Sequence, residues 1–242
     1  FRTAIRMFSL FFCFILFPVF VNSISLKKNS LASSEMSFSL RQSINIPAIK
    51  ALVDVFRNPK LCIPDIELSH LRNLDCKSLA ESGIKAIIFD KDNTLSYTYC
   101  EEIHKSVVGK VKEATDYFPS TVAILSNSIG SSDDRAYAGA LAVERNFGLP
   151  VIRHKNKKPQ CLEEVMEFLN LRCPGITPTE VCVVGDRVLT DVVFANQNKM
   201  LSVLVSPLSI IRDHPIATIL RFVERNILLP LILFFQSRSR QF

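Results

Sequence analysis

Five short apolar runs, at 84–89, 122–125, 151–152, 181–184 and 201–205, alternate with stretches of helical periodicity at about 104–117, 134–147, 160–171 and 190–197. Runs this short, bounded by turn-forming residues, read as buried strands rather than helices. Strand and helix in alternation predict an α/β fold: a doubly wound, Rossmann-like parallel sheet with right-handed crossovers and helices on both faces. The chain has 242 residues, enough for one good-sized core with appendages. The expected organisation is a targeting leader over 1–45, a core domain over 46–207 and an amphipathic C-terminal segment over 208–242.

In a sheet of this kind ligands gather at the carboxyl ends of the strands. Closing the first run is Phe89-Asp90-Lys91-Asp92-Asn93-Thr94-Leu95, which sets two carboxylates two residues apart. In extended backbone such residues point to one side, so Asp90 and Asp92 face a common ligand and Lys91 is expected to face away. Two carboxylates beside one cation suit phosphoryl transfer. One attacks phosphorus, and the other handles the proton of the leaving oxygen.

Three further polar patches fall at strand ends or at a helix start. Ser126-Asn127-Ser128 follows the second run, where a hydroxyl and backbone N–H groups can hold phosphate oxygens. By itself this is a polar turn. His154-Lys155-Asn156-Lys157-Lys158-Pro159 offers a lysine set by the following proline at a helix entrance, a charge able to neutralise a transferring phosphoryl group. A bare Lys-Lys-Pro is more often a solvated loop, and His154 is expected to be exposed there, with contact to a substrate phosphate as the alternative. Gly185-Asp186-Arg187-Val188-Leu189-Thr190-Asp191 follows the fourth run. Gly185 permits a sharp exit, Asp186 enters the crevice of Asp90, and Thr190 is expected to cap a helix with Asp191 at its positive end.

Each patch is weak alone, and their order makes them strong together. Asp-x-Asp-x-Thr, Ser-Asn, Lys-Pro and Gly-Asp-x4-Asp in succession resemble the haloacid dehalogenase-like superfamily of aspartate-based phosphatases. More narrowly, the chain resembles the mitochondrial and plastid phosphatidylglycerophosphate phosphatases and their bacterial relatives, over about 46–226. The resemblance rests on 89–95, 126–128, Arg153-His154-Lys155 with Lys157-Lys158-Pro159, and 185–191. Two departures stand out: Gln160, where a glycine or small residue is common, and Ser96-Tyr97-Thr98-Tyr99, which is unusual after the first motif.

That resemblance implies a set of roles. Asp90 is the nucleophile and forms an aspartyl-phosphate, and Asp92 is the acid that protonates the leaving oxygen and then the base that activates water. Mg²⁺ is held by Asp90, the backbone carbonyl of Asp92 and Asp186, with waters completing an octahedron. Ser126 and Lys158 bind the non-bridging oxygens, with Lys157 as the fallback for Lys158. Thr94 and Asn127 complete the phosphate-binding loops, and Asp191 supports the site by orienting Lys158 or a ligand water.

Asp92 and Ser126 are 34 positions apart, and Ser126 and Lys158 are 32 apart, which leaves room for crossover helices but not for a cap domain. Small phosphate esters are usually shielded by a lid, so an uncapped site suits a substrate presented by a surface. The expected reaction is Mg²⁺-dependent hydrolysis of the phosphate monoester of phosphatidylglycerophosphate to phosphatidylglycerol, a cardiolipin precursor. Two rivals are a soluble phosphatase of the same superfamily acting on a small ester, and a non-catalytic protein at the membrane periphery.

Charge is unevenly spread within the net +6. Five basic residues stand against one acid over 1–45, and five against two over 206–242, so the core is near neutral. A near-neutral core argues against nucleic acid as a partner. Arg2 and Arg6 precede a twelve-residue apolar run over 10–21, too short to span a bilayer comfortably, and a serine-rich stretch follows to residue 45. These features predict import into an organelle, with a membrane anchor as the rival. A mitochondrion (inner membrane, matrix side) is the expected address and a plastid the alternative. Near the other end, Ile216, Ile219, Leu220, Val223 and Ile227 recur at helical spacing opposite Arg221, Glu224 and Arg225. That pattern predicts peripheral association with a phospholipid surface, the alternative being a terminal helix packed on the domain; 46–53 is a shorter stretch of the same kind. Seven cysteines without a Cys-x-x-Cys pair read as reduced thiols.

Overall fold

The computed structural model describes residues 54–209 apart from Phe56. The leader, the 46–53 stretch and the C-terminal segment beyond residue 209 lie outside them. Five strands, β1 (Ile66–Leu68), β2 (Ala86–Phe89), β3 (Val122–Ile124), β4 (Val181–Gly185) and β5 (Leu201–Val205), form one sheet in the order β1-β5-β4-β2-β3. Every pairing is parallel. The helices are α1 (Cys76–Glu81), α2 (Val108–Tyr117), α3 (Ala138–Phe147), α4 (Leu162–Asn170) and α5 (Val193–Gln197).

Side chains of the central strands alternate between two cores. Ile87 and Phe89 of β2, Val122 and Ile124 of β3, and Cys182 and Val184 of β4 pack with residues of α1, α2 and α3. Ala86, Ile88, Ala123, Val181 and Val183 point the other way, against Val165 and Leu169 of α4 and Phe194 and Ala195 of α5. With apolar partners on both sides, these strands are unbroken apolar runs rather than alternating ones. The chain therefore winds twice: α2 and α3 cover one face as it moves outward from β2, and α4 and α5 cover the other as it returns through β4 to β5. The reversal falls between β2 and β4, the switch point at which such sheets open a crevice.

Several boundaries differ from the sequence expectation. β1 is an added edge strand, paired with β5 through Ile66 and Val203. The expected strand at 151–152 is reduced to a single bridge between Val151 and Ile124. The helix expected from 134 starts at Ala138, because Ala136 and Tyr137 both have positive φ. Asp134 closes that turn instead, accepting from Gly130 N, Gly139 N and Ala140 N at 2.9–3.0 Å. The six cysteines of the described region form no disulfide, and no described helix is long and apolar enough to cross a membrane.

Candidate active site

The two strands at the switch point each deliver a carboxylate to the same rim. Phe89 pairs with Val184, and Asp90 N donates to Val184 O at 2.8 Å, so Asp90 leaves β2 beside the end of β4, where Asp186 begins. Asp90, Asp186 and Asp191 are all buried and each has a carboxylate oxygen within 4.8 Å of the others'. Lys158 enters this cluster from the opposite wall. Its Nζ donates to Asp90 Oδ1 at 2.7 Å and to Asp191 Oδ1 at 2.6 Å, and only 2 % of the residue is exposed. A Cβ at Gly185 would lie inside the Asp191 carboxylate, so glycine is needed there for close approach.

Asp191 reaches the site from an unusual turn. Val188–Val192 is a π-helical turn starting after Arg187, and Thr190 lies inside it, buried, rather than capping a helix as its sequence context suggests. Single π turns shift side chains relative to α geometry and recur at functional sites. Here the turn leaves Asp191 Oδ2 accepting from Arg187 N at 3.1 Å, which orients the carboxylate whose other oxygen holds Lys158.

Asp92 is fixed separately from the buried trio. Contrary to expectation, Lys91 does not face away: it is 1 % exposed, and its Nζ donates to Asp92 Oδ1 at 2.7 Å. The extended geometry ends at this point, because Leu95 N and Ser96 N both donate to Lys91 O and turn the chain. Asp92 Oδ2 accepts from Ser128 Oγ at 3.2 Å. The second carboxylate of the motif is thus tethered at both oxygens while remaining partly open to solvent.

Ser126 and Asn127 follow Leu125, whose N–H donates to Phe89 O, so their loop sits beside Asp90. Ser126 is buried, its Oγ 3.0 Å from Ser128 Oγ. Asn127 Oδ1 accepts from Lys158 N at 2.8 Å, joining the serine loop to the lysine loop. His154 makes the second joint. It is 2 % exposed, neither a surface residue nor one placed against the carboxylates, and its ring spans Ser126 O (2.8 Å) and Asn156 O (2.6 Å). Of the two adjacent lysines, Lys157 turns to Asp133 at 2.7 Å and Lys158 alone meets Asp90. Thr94 is buried in the motif loop, and its Oγ1 has no hydrogen-bond partner among the described residues.

Burial pushes the Asp90 carboxyl up to about 6; the Lys158 ammonium opposes that rise, while Asp191 and Asp92 add to it. That value still lies below neutrality, so the carboxylate form predominates at pH 7. Burial disfavours the Lys158 ammonium, but Asp191 and Asp90 outweigh it and hold its pKa above the ordinary lysine value. Burial also lowers His154, and its contacts to the Ser126 and Asn156 carbonyls oppose that. Against the three carboxylates of the trio, Lys158 brings one positive charge. Clustered, hard carboxylate oxygens of this kind fit Mg²⁺ and offer nothing to softer metals.

Comparison with known proteins points to one family. Residues 46–208 match the family model described as mitochondrial PGP phosphatase. A phosphatidylglycerophosphate phosphatase 1 of Arabidopsis thaliana, named as chloroplastic and mitochondrial, is 34% identical over 73% of this chain, which spans about half of that relative's length. The chloroplastic phosphatidylglycerophosphate phosphatase 1 of Chlamydomonas reinhardtii is 32% identical over 77% of this chain and 68% of its own. The mitochondrial phosphatidylglycerophosphatase of Saccharomyces cerevisiae is 31% identical over 63% of this chain and 82% of its own. No solved structure matches the chain. With four motifs converging on one rim and a family match that runs the length of the described fold, the chain belongs to the mitochondrial PGP phosphatase family.

Proposed function

We propose that this protein hydrolyses the phosphate monoester of phosphatidylglycerophosphate, releasing phosphatidylglycerol and inorganic phosphate, at a membrane surface in a mitochondrion or plastid. The observation that carries this reading is the buried cluster of Asp90, Asp186, Asp191 and Lys158, set beside Asp92 at the switch point of the sheet. The names of the relatives support the substrate and the organelle.

An Asp90 oxygen attacks phosphorus and the bond from phosphorus to the glycerol oxygen breaks, leaving an aspartyl-phosphate. Asp92 gives its proton to that departing oxygen. It then takes a proton from a water molecule that attacks the acyl phosphate, which frees phosphate and regenerates the Asp90 carboxylate. Lys158 and the Ser126 loop hold the phosphoryl oxygens, a role suited to an ammonium already fixed on two carboxylates. Asp90, Asp186 and the Asp92 backbone carbonyl would hold Mg²⁺, which supplies charge neutralisation at the phosphoryl group. Ser128 and Lys91 keep Asp92 in place through both steps.

The turn 96–100 and α2 fill the chain between Asp92 and Ser126, and a loop and α3 fill that between Ser126 and Lys158, so neither interval holds a cap domain. Substrate is therefore met at an open rim, which suits a headgroup standing in a bilayer. The test is phosphate release from phosphatidylglycerophosphate in vesicles against a panel of soluble phosphate esters, with Mg²⁺ and with chelator. Preference for the lipid, dependence on Mg²⁺ and loss of at least ~10³-fold in Asp90→Asn are expected. Faster turnover of a soluble sugar or nucleotide phosphate would defeat the lipid assignment.

A further inference from the structure

Ser96-Tyr97-Thr98-Tyr99 forms a tight turn beside Asp92. Cys100 N donates to Tyr97 O at 3.0 Å, closing the turn, and Ser96 pairs through its backbone with Asp92. Tyr99 stands at the tip with φ +63° and is 67 % exposed. A bulky residue with positive φ is uncommon, because glycine or asparagine takes that conformation at lower cost. Such positions persist where the surroundings over-determine them, and they cluster at functional sites.

The surroundings here do over-determine it. Ser96 Oγ donates to Tyr97 O and lies 3.4 Å from Cys100 O, and Asn93 Nδ2 donates to Thr98 Oγ1 at 3.1 Å. Behind the turn, His104 Nδ1 accepts from Ser106 N, which leaves Nε2–H to donate to Tyr97 Oη at 3.0 Å. The two rings also meet edge to face at 4.8 Å. These ties hold the backbone, the Thr98 side chain and the inner tyrosine, so Tyr99 is presented outward from a fixed base.

A second, independent feature meets the same rim. After β5 the chain returns to the nucleophile loop: Leu208 N donates to Asn93 O at 2.9 Å and Ser209 N to Asn93 Oδ1 at 3.3 Å. Asn93 therefore clamps three things together: the Asp90 loop, the tyrosine turn and the point from which the C-terminal sequence departs. That sequence carries the apolar stretch 228–235 between Arg225 and Arg238. The composition suits a lipid surface, where tyrosine also prefers to sit with its ring apolar and its hydroxyl wet.

We infer that the rim made by the Tyr97–Cys100 turn and the Leu208–Ser209 exit is the face that meets the bilayer, with Tyr99 seated at headgroup depth as the residue that selects membrane-borne substrate. This rests on the lipid phosphatase reading above. Tyr99 touches the interface rather than the phosphoryl group, so its effect falls on KM for lipid in vesicles more than on the chemical step.

The experiment uses the full chain and compares Tyr99→Ala, Tyr99→Trp and wild type on two forms of one headgroup: phosphatidylglycerophosphate in phosphatidylglycerol-containing vesicles, and a short-chain phosphatidylglycerophosphate below its micellar concentration. The readout is the ratio of kcat/KM on vesicles to kcat/KM on the short-chain lipid. About a tenfold fall in that ratio is expected for Tyr99→Ala, carried by KM, from the loss of one interfacial aromatic. Recovery to near the wild-type ratio is expected for Tyr99→Trp. A ratio within twofold of wild type in Tyr99→Ala overturns the inference while leaving the phosphatase reading intact. Failure of the wild type to release phosphate from either lipid overturns both.

Discussion

Gly185 and Asp191 are packed so closely that the glycine has no room for even one carbon: an added Cβ would overlap the Asp191 carboxylate. The carboxylate cannot move away without releasing Lys158 Nζ from Oδ1 or Arg187 N from Oδ2. Gly185→Ala therefore misplaces Lys158, although β4 tolerates alanine as backbone. A displacement near 1 Å at a catalytic group costs on the order of 10²-fold. The expected result is a loss of that size in kcat/KM, with circular dichroism showing an intact fold. Retained activity in Gly185→Ala would mean that Asp191 does not position the lysine.

The two adjacent lysines separate cleanly by substitution. Lys158→Met removes the cation between Asp90 and Asp191 and leaves two buried carboxylates facing each other. Breaking a buried pair in this way typically costs about 3–5 kcal/mol, and part of that returns if Asp90 takes up a proton. Lys157→Met removes only an ion pair between a largely covered lysine and the half-buried Asp133, worth on the order of 1 kcal/mol. Urea unfolding should show a large fall in stability for the first and a much smaller one for the second. Turnover should vanish only in Lys158→Met. Similar losses in both would place the phosphate-binding charge wrongly.

The sequence makes the central features legible for identifiable reasons. β2 and β4 are buried on both faces, so each stands out as an apolar run, and the acids that follow them sit at the switch point by topology alone. Ile66-Glu67-Leu68 is not visible in the same way, because a three-residue edge strand with a charged centre leaves no run to detect. Strict alternation puts Lys91 outside, whereas the three N–H donors on its carbonyl, from Thr94, Leu95 and Ser96, end the extended geometry. A lysine whose ammonium lands on its own neighbour can then be buried. His154 was hidden for a different reason: its partner, Ser126 O, lies 28 residues away, and no local pattern announces a tertiary contact. The choice between Lys157 and Lys158 likewise turns on Asp133 and Asn127, which only folding brings near.

Asp90 gives the metal-free protein a pH-dependent stability with a definite sign. Its carboxyl is raised from 3.8 to about 6, chiefly by burial. Between those values the folded state holds a proton that the unfolded chain has released. The contribution is therefore fully present below pH 4 and is lost as pH rises through 6. Asp90→Asn cannot titrate, so its stability relative to wild type should climb from pH 4 to pH 6 and then level off. Denaturant titrations in chelator across that range measure the difference directly. A difference that stays flat, or falls, would mean the carboxyl is not desolvated as its position implies.

The proposed Mg²⁺ site, Asp90 and Asp186 with the Asp92 carbonyl, can be tested without turnover. Asp90 and Asp186 lie close only in the folded chain, because paired strands 95 residues apart in register deliver them. A cation that binds them binds the native state alone and stabilises it by mass action, by about 2.7 kcal/mol at a hundredfold excess over Kd. Thermal melts of the full chain in chelator and in rising Mg²⁺ should show an upward, saturating shift in Tm. Asp186→Asn should abolish that shift while leaving the Lys158 contacts to Asp90 and Asp191 in place, since neither runs through Asp186. Calcium, which prefers more ligands at longer distances, should shift the melt as well without supporting phosphate release. An Asp186→Asn variant that melts like wild type at every Mg²⁺ concentration would remove this carboxylate from the proposed metal site.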